Sequence, residues 1–172
     1  IPLPVASIDV VTSFETIEHL HEHDAMIAEC KRVMKGDGIM IISTPDKHYY
    51  SDLPGYSNPY HVKELYEADF ISLLSRYFCH VQLYRQGIVK AGLIYRQDQP
   101  GASFCIQHGS FDHVDTDGQI YNPEYMIIVA SDSPVPALPV SLFESLAIDA
   151  NMAKDLEKYK KKDSYTINDI AA

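Results

Sequence analysis

The sequence predicts an α/β domain with a partly parallel sheet, and three consecutive segments predict it. Residues 7–14 (SIDVVTSF) form a short apolar run rich in β-branched residues, which indicates a strand. Residues 24–34 repeat apolar side chains at helical spacing, and residues 38–43 (GIMIIS) form a second apolar run. Strand, helix and strand in this order make a βαβ unit, so we expect two parallel neighbouring strands.

The first strand is expected to be buried, because its apolar run does not alternate with polar residues. KGDG at residues 35–38 predicts a turn, since glycine readily adopts positive φ, and Pro45 ends the second strand. Residues 46–61 are polar and rich in Tyr, Pro and Gly, which is typical of a loop.

The second half predicts a helix and two further strands. The helix begins at about Glu67 and turns apolar residues inward. Strands follow at residues 81–87 and 124–131, with an insertion at about 88–123 that carries a hairpin near 102–107. The inward residues of the helix are Phe70, Leu73, Leu74 and Phe78.

The composition shift after residue 131 predicts two parts, a partial domain at residues 1–131 and an appendage at 132–172. The appendage reads as a proline-rich linker followed by an amphipathic helix at 140–162. No apolar run reaches the length of a membrane span. Cys30 and Cys79 lie in apolar patterns, which favours buried, reduced thiols and a cytoplasmic location.

The segment ETIEH carries the most informative chemistry. Glu15, Glu18 and His19 share one face if the residues after the first strand begin a helical turn. Two carboxylates and an imidazole suit a divalent cation. They also lie where the carboxyl end of a parallel strand binds ligands in open α/β sheets. Equally, the acids can be solvated residues at a helix start, with His19 merely packed.

Further histidines lie nearby. His21 and His23 are interpreted as exposed loop residues. His61 precedes the helix after the second strand, and loops at that end of the sheet converge, so it is a candidate fourth ligand. A Tyr-rich loop is a candidate wall for an acceptor or a simple cover of the sheet edge; its residues are Lys47, His48, Tyr49, Tyr50, Tyr56 and Tyr60.

DVVTSFETIEHL, MIAECKRVMKGDGIMIISTP and NPYHVKELYEADFISLL together resemble the middle of class I S-adenosylmethionine-dependent methyltransferases. The resemblance implies the C-terminal part of a Rossmann-like sheet, strands four to seven with flanking helices. KGDG lacks the proline of the family's turn. E-x-x-E-H with a later His is similar to O-methyltransferases that act on small RNAs or in the ubiquinone pathway.

The resemblance implies roles for individual residues. Glu15, Glu18, His19 and His61 would hold Mg²⁺ or Mn²⁺, while without metal His19 or His61 would act as the catalytic base. Phe14, Glu15 and Thr16 would contact S-adenosylmethionine. The expected acceptor is a hydroxyl on a sugar, glycan or other small molecule.

The family's glycine-rich cofactor loop has no counterpart here, because no G-x-G precedes Asp9. We therefore expect the isolated chain to be inactive or to bind the cofactor weakly, and its first strand to leave an open sheet edge. A second copy or the N-terminal half of the domain would cover that edge.

Two other functions stay open. A catalytically incomplete interaction or scaffold module would explain the absent loop. RNA 2′-O-methylation fits the metal motif, but a net charge of −10 makes nucleic acid an unfavourable partner.

Overall fold

The computed structural model of the chain describes residues 1–88, 108–109, 114–115 and 122–138. Its main sheet has strands β1 (Ile8–Ser13), β2 (Met34–Pro45), β3 (His80–Gln86) and β6 (Tyr125–Ser131). Helix α1 (His23–Val33) joins β1 to β2, and α2 (Glu67–Ser75) precedes β3. The short strands β4 (His108–Gly109) and β5 (Val114–Asp115) pair antiparallel.

The main sheet has the order β1-β2-β6-β3. β1 and β2 are parallel, as the βαβ pattern predicts, whereas β6 runs antiparallel to both of its neighbours. Tyr125 pairs with both Pro45 and Gln86, so β2, β3 and β6 each have one terminus at the same edge of the sheet, the edge formed by strand ends. Since β1 is parallel to β2, Ser13 also ends at this edge.

The core lies where the two helices cover the sheet. Met40 and Ile42 of β2 and Ile128 of β6 are fully buried, as are Ile27 of α1 and Phe70 of α2. The helical spacing of the apolar residues therefore predicts the core correctly. All four residues predicted to face inward from the second helix are buried: Phe70, Leu73, Leu74 and Phe78.

The expected burial of β1 is wrong. Among the described residues β1 is an outer strand, paired only with β2, and Val10 is 50% exposed. An apolar run shows that a strand has side chains suited to burial, but not that other elements cover them. In the described sheet, one side of this strand has no neighbouring strand. The open edge predicted for this strand is thus present.

The predicted KGDG turn is a bulge inside β2. Ile8 pairs with Met34 and Val10 pairs with Ile39, so the extra residues loop out between two paired stretches. Gly38 is required for close approach rather than for positive φ, because a Cβ there would lie 3.1 Å from the carbonyl oxygen of Asp9. The residues predicted to form a turn therefore lie within β2, where they form a bulge.

Three further predictions have different outcomes. The predicted loop at residues 46–61 contains a helical segment, His48–Asp52. Cys30 is buried as expected, but Cys79 is exposed. The hairpin near 102–107 and the helix at 140–162 lie outside the described residues. No helix in the described part of the chain is long and apolar enough to cross a membrane.

By its contacts the chain divides into two units, Ile1–Ala137 and Leu138–Ala172. The sheet and both helices belong to the first unit. The second unit lies outside the described residues except for Leu138.

Candidate active site

The candidate site lies at the sheet edge where β1 and β2 end. A short 3₁₀ turn, Ile17–His19, follows β1 and holds two of the predicted residues. Ile17 is fully buried and anchors this turn in the core. The main-chain carbonyl of Glu18 accepts hydrogen bonds from the N–H groups of Val62 (2.8 Å) and Lys63 (3.0 Å). Main-chain bonds therefore join the turn to the loop that carries His61.

Three of the four predicted metal ligands converge here. Glu18, His19 and His61 each offer one ligand atom, and these atoms lie within 4.8 Å of one another. The two imidazole rings meet edge to face with centroids 5.1 Å apart. The carboxylate is buried, His19 is exposed and His61 is intermediate. The cluster thus has a protein side and a solvent side, as a site that receives a ligand requires.

Glu18 is an under-compensated buried carboxylate. It is 1% exposed, yet among the described side chains its only hydrogen bond comes from the Thr44 hydroxyl at 3.3 Å. The nearest nitrogen of His19 lies 3.6 Å from its other oxygen. A buried carboxylate normally needs several close donors or a cation. Within the described residues, the positive group nearest to this carboxylate is thus an imidazole beyond ordinary hydrogen-bond distance.

The hydrogen bonds of His19 determine which ring nitrogen faces Glu18. Nδ1 lies 2.7 Å from the carbonyl oxygen of Tyr60, and because a carbonyl only accepts, Nδ1 carries the hydrogen. In the neutral ring Nε2 therefore presents a lone pair toward the Glu18 carboxylate. Two acceptors facing each other repel unless a proton or cation lies between them. Metal-binding histidines commonly have this Nδ1–H to carbonyl bond.

His61 has a second polar network behind it. Its Nδ1 lies 2.5 Å from Glu64, both side chains are nearly buried, and the other Glu64 oxygen accepts a bond from Ser51 (2.6 Å). An ionised carboxylate only accepts, so Nδ1 carries the hydrogen here as well. Nε2 accepts from the Asn58 amide at 3.0 Å. A cation that binds Nε2 must displace this amide bond.

Glu15 stands apart from the cluster of three. Its backbone is left-handed (φ 47), so it precedes the 3₁₀ turn instead of sharing its face. Ser43 receives its main-chain N–H (3.2 Å) and donates to its carboxylate (2.6 Å). The pKa of Glu15 is raised because protein atoms displace water from the carboxylate, with the charge of Glu18 adding to the effect.

The other predicted cofactor contacts lie beside Glu15. Phe14 is 55% exposed, and the Thr16 hydroxyl donates to the Phe14 carbonyl (3.0 Å). Both residues follow the carboxyl end of β1, where a ligand of this sheet would lie. Phe14 offers an exposed aromatic face to such a ligand.

The interpretation of His23 as an exposed loop residue is wrong. His23 begins α1 and is 3% exposed. Its Nε2 has no partner in the described part of the chain, and burial lowers its pKa, which keeps the ring neutral. His21 is exposed, as expected.

Sequence reasoning missed the residues that orient the histidines. Glu64 is one of them, and its only sequence signal is a spacing of three residues from His61. The Tyr60 carbonyl carries no sequence signal, since every residue has one. Ser43 follows the apolar core of β2 and gives no signal of its role.

Comparison with known proteins finds relatives of the N-terminal part of the chain. Residues 1–42 match the family described as a methyltransferase domain. A probable S-adenosylmethionine-dependent methyltransferase of Mycobacterium tuberculosis H37Rv is 43% identical over 77 residues, which cover 43% of this chain and 27% of that protein. The match thus spans about a quarter of the length of this relative.

Solved structures show the fold. A methyltransferase from Thermotoga maritima superposes with a TM-score of 0.52 at 15% identity, over 77% of this chain and 60% of that one. One from Archaeoglobus fulgidus gives 0.51 at 17% identity, over 74% and 61%. The described sheet is therefore part of a Rossmann-like methyltransferase fold.

Proposed function

We propose that the protein is an S-adenosylmethionine-dependent methyltransferase that methylates a hydroxyl of a sugar or other small acceptor. The similarity of its N-terminal segment to a methyltransferase domain and to a probable S-adenosylmethionine-dependent methyltransferase supports this proposal. Glu18, His19 and His61 hold a divalent cation in this proposal. The buried Glu18 carboxylate facing the Nε2 lone pair of His19 is the observation that carries it. A cation between these two acceptors removes their repulsion.

The donor set decides which ions fit. The carboxylate supplies an oxygen ligand, and the two imidazoles supply one nitrogen ligand each. Mg²⁺ prefers oxygen ligands, whereas Mn²⁺ and other transition metals accept nitrogen. The residues therefore fit Mn²⁺ better than Mg²⁺. Such an ion supplies charge that lowers the pKa of a coordinated hydroxyl.

The chain's own residues orient the reacting groups. Methyl transfer requires the acceptor oxygen in line with the methyl carbon, so positioning accounts for much of the acceleration. The Tyr60 carbonyl and the Glu64 carboxylate keep the hydrogens of the two imidazoles on Nδ1. The Nε2 lone pair of His19 then faces Glu18, and that of His61 becomes available once the Asn58 amide is displaced. His19 is 42% exposed, and without a bound cation its Nε2 can instead accept the hydroxyl proton. S-adenosylmethionine, beside Phe14 and Thr16 in this proposal, supplies the electrophilic methyl group.

Labelled methyl transfer tests this function in the full-length protein. Glu18→Gln and His19→Gln are each expected to lower kcat/KM by about 100-fold or more. Glu22→Gln is the control, since Glu22 is exposed and outside the cluster. Chelation separates the two chemistries: loss of activity supports the metal, and unchanged activity leaves His19 as base without it. Full activity of both variants would reject the site.

The charge distribution argues against nucleic acid as the acceptor. The chain carries a net charge of −10, and Glu15 and Glu18 are themselves part of the site. Nucleic-acid affinity depends on clustered positive charge. We also propose a cytoplasmic location, which the free thiols of Cys30 and Cys79 support.

One observation favours a second candidate, an interaction module that has lost catalysis. The outer edge of β1 has no partner strand in the described sheet, and Val10 of β1 and Phe14, directly after it, are exposed. Such an edge pairs readily with another chain. Light scattering that finds a strict monomer at high concentration would count against this candidate.

A further inference from the structure

A cavity of about 570 Å³ lies next to the Glu18–His19–His61 cluster. This volume is in the range of small-molecule sites, roughly 300–1,000 Å³. Three tyrosines contribute to its lining, and polar groups come from the segment just before β6. Among the described residues, those that line the cavity are Tyr49, Tyr50, Leu53, Pro54, Tyr56, Asn122 and Glu124.

The Tyr50 side chain lines the cavity and also contacts His61 of the cluster. Its ring stacks on His61 at 5.3 Å between centroids and 26° between planes. It also meets Tyr56 at 5.7 Å and Tyr125 at 5.9 Å. The Tyr50 N–H donates to the Asp46 carbonyl (2.8 Å), which fixes its place. A ligand in the cavity therefore lies one aromatic ring from His61.

The lining has the chemistry of a sugar subsite. A sugar ring presents a face of C–H groups, which packs on the electron-rich face of an aromatic ring. Its rim presents hydroxyls, which need both donors and acceptors. Tyrosine hydroxyls and the Asn122 amide can do both, and Glu124 accepts. An acceptor with one apolar face and a hydroxyl rim matches this lining.

The charge around the cavity selects against anions. Burial raises the pKa of Tyr125, and the nearby groups Tyr50, Glu15, Glu124 and Glu18 raise it further. The carboxylates among these groups disfavour negative charge on the phenol, and Glu124 also lines the cavity itself. A phosphate or carboxylate on the acceptor would lie next to the charge of Glu124.

We propose that this cavity binds the ring of an uncharged carbohydrate, with Tyr56 on its C–H face and Asn122 and Glu124 on its hydroxyls. The inference rests on the proposed function, since it names the acceptor class of the same site. It assigns specificity to residues outside the cluster. It also explains why the aromatic loop lies against His61.

Saturation-transfer NMR on the full-length protein, without S-adenosylmethionine, tests the proposal. The probes are methyl glucoside and methyl mannoside, with glucose 6-phosphate as the anionic counterpart. Neutral glycosides are expected to bind, and the phosphate is expected to bind at least several-fold more weakly. No binding of the neutral probes, or tighter binding of the phosphate, overturns it.

A matched pair of variants locates the binding. Tyr56 is 51% exposed, so Tyr56→Ala should fold, and it should weaken glycoside binding about 3- to 10-fold. Tyr60→Ala is the control, because Tyr60 is 77% exposed and does not line the cavity. Equal weakening by both variants would place the sugar elsewhere and refute the assignment.

A third variant separates this inference from the proposed function. Glu18→Gln should abolish methyl transfer and leave glycoside binding within about twofold, since Glu18 does not line the cavity. Methyl transfer to a non-sugar hydroxyl with no glycoside binding overturns the inference alone. Glycoside binding without any methyl transfer overturns the proposed function alone.

Discussion

Replacing Glu18 by Gln should change stability differently with and without a metal ion. The wild-type carboxylate is 1% exposed and accepts a single hydrogen bond from the side chains that the structure describes, at 3.3 Å. Burying a charge with so little compensation costs several kcal/mol. The neutral amide avoids that cost. We therefore expect the metal-free variant to be as stable as the wild type, or more stable by about 1 kcal/mol.

Metal should reverse this order. At a Mn²⁺ concentration 100 times its Kd, binding stabilises the wild type by about 2.7 kcal/mol. For a protein of this size that is a rise in Tm of roughly 5–10 °C. Loss of the charged ligand, taken as a 100-fold loss of affinity, leaves a gain of about 0.4 kcal/mol at the same concentration.

Thermal unfolding with and without Mn²⁺, followed by calorimetric titration, measures both effects. Glu22→Gln should behave as the wild type in each condition, because Glu22 is exposed. The reasoning fails if Glu18→Gln destabilises the metal-free chain by more than about 1 kcal/mol and Mn²⁺ does not stabilise the wild type. Glu18 would then be a structural hydrogen-bonding group.

Three further predictions concern single sites. Gly38→Ala should cost about 1–3 kcal/mol of unfolding free energy, since its Cβ meets backbone oxygens at 3.1 Å; Gly36→Ala, with open space, should change it by less than about 0.5 kcal/mol in the same denaturant titration. Glu29 has its pKa lowered to about 2, chiefly by a neighbouring arginine, so its ion pairs stabilise the fold above about pH 4.5 and are lost as pH falls through 2; a carboxyl NMR titration with a midpoint near 4.5 would contradict this. Glu64→Leu should move the ring proton of His61 partly to Nε2, whereas Glu64→Gln should keep it on Nδ1, as ¹⁵N shifts would report; an unchanged tautomer in the Leu variant would exclude the positioning role.

The sequence predicts well what depends on periodicity. The helix that buries Phe70 and Leu74 and the parallel pairing of β1 with β2 follow from local patterns of apolar residues. The sequence-based predictions fail where contacts with another part of the chain determine the structure. Nothing in residues 7–14 reveals that one side of the strand lacks a partner, and nothing in KGDG distinguishes a turn from a bulge within a strand.

The candidate site follows the same division. Glu18 and His19 can be identified from the sequence, because carboxylates and imidazoles are unusual side chains at a strand end. Glu15 is also visible, but its left-handed backbone turns it to Ser43, which spacing alone does not reveal. The Tyr60 carbonyl and the Glu64 carboxylate act through tertiary geometry, and only the structure identifies them.

The main-chain bonds between the two loops have a consequence for how this site can vary. His19 is held by the carbonyl of Tyr60, and Glu18 is tied by its own carbonyl to the N–H groups of Val62 and Lys63. None of these bonds uses a side chain at residues 60, 62 or 63. The loop can therefore exchange those side chains, for example to suit a new acceptor, while the two imidazoles keep their places. These three positions could therefore be varied to any residue except proline, which lacks the main-chain N–H, while the site beside them is retained.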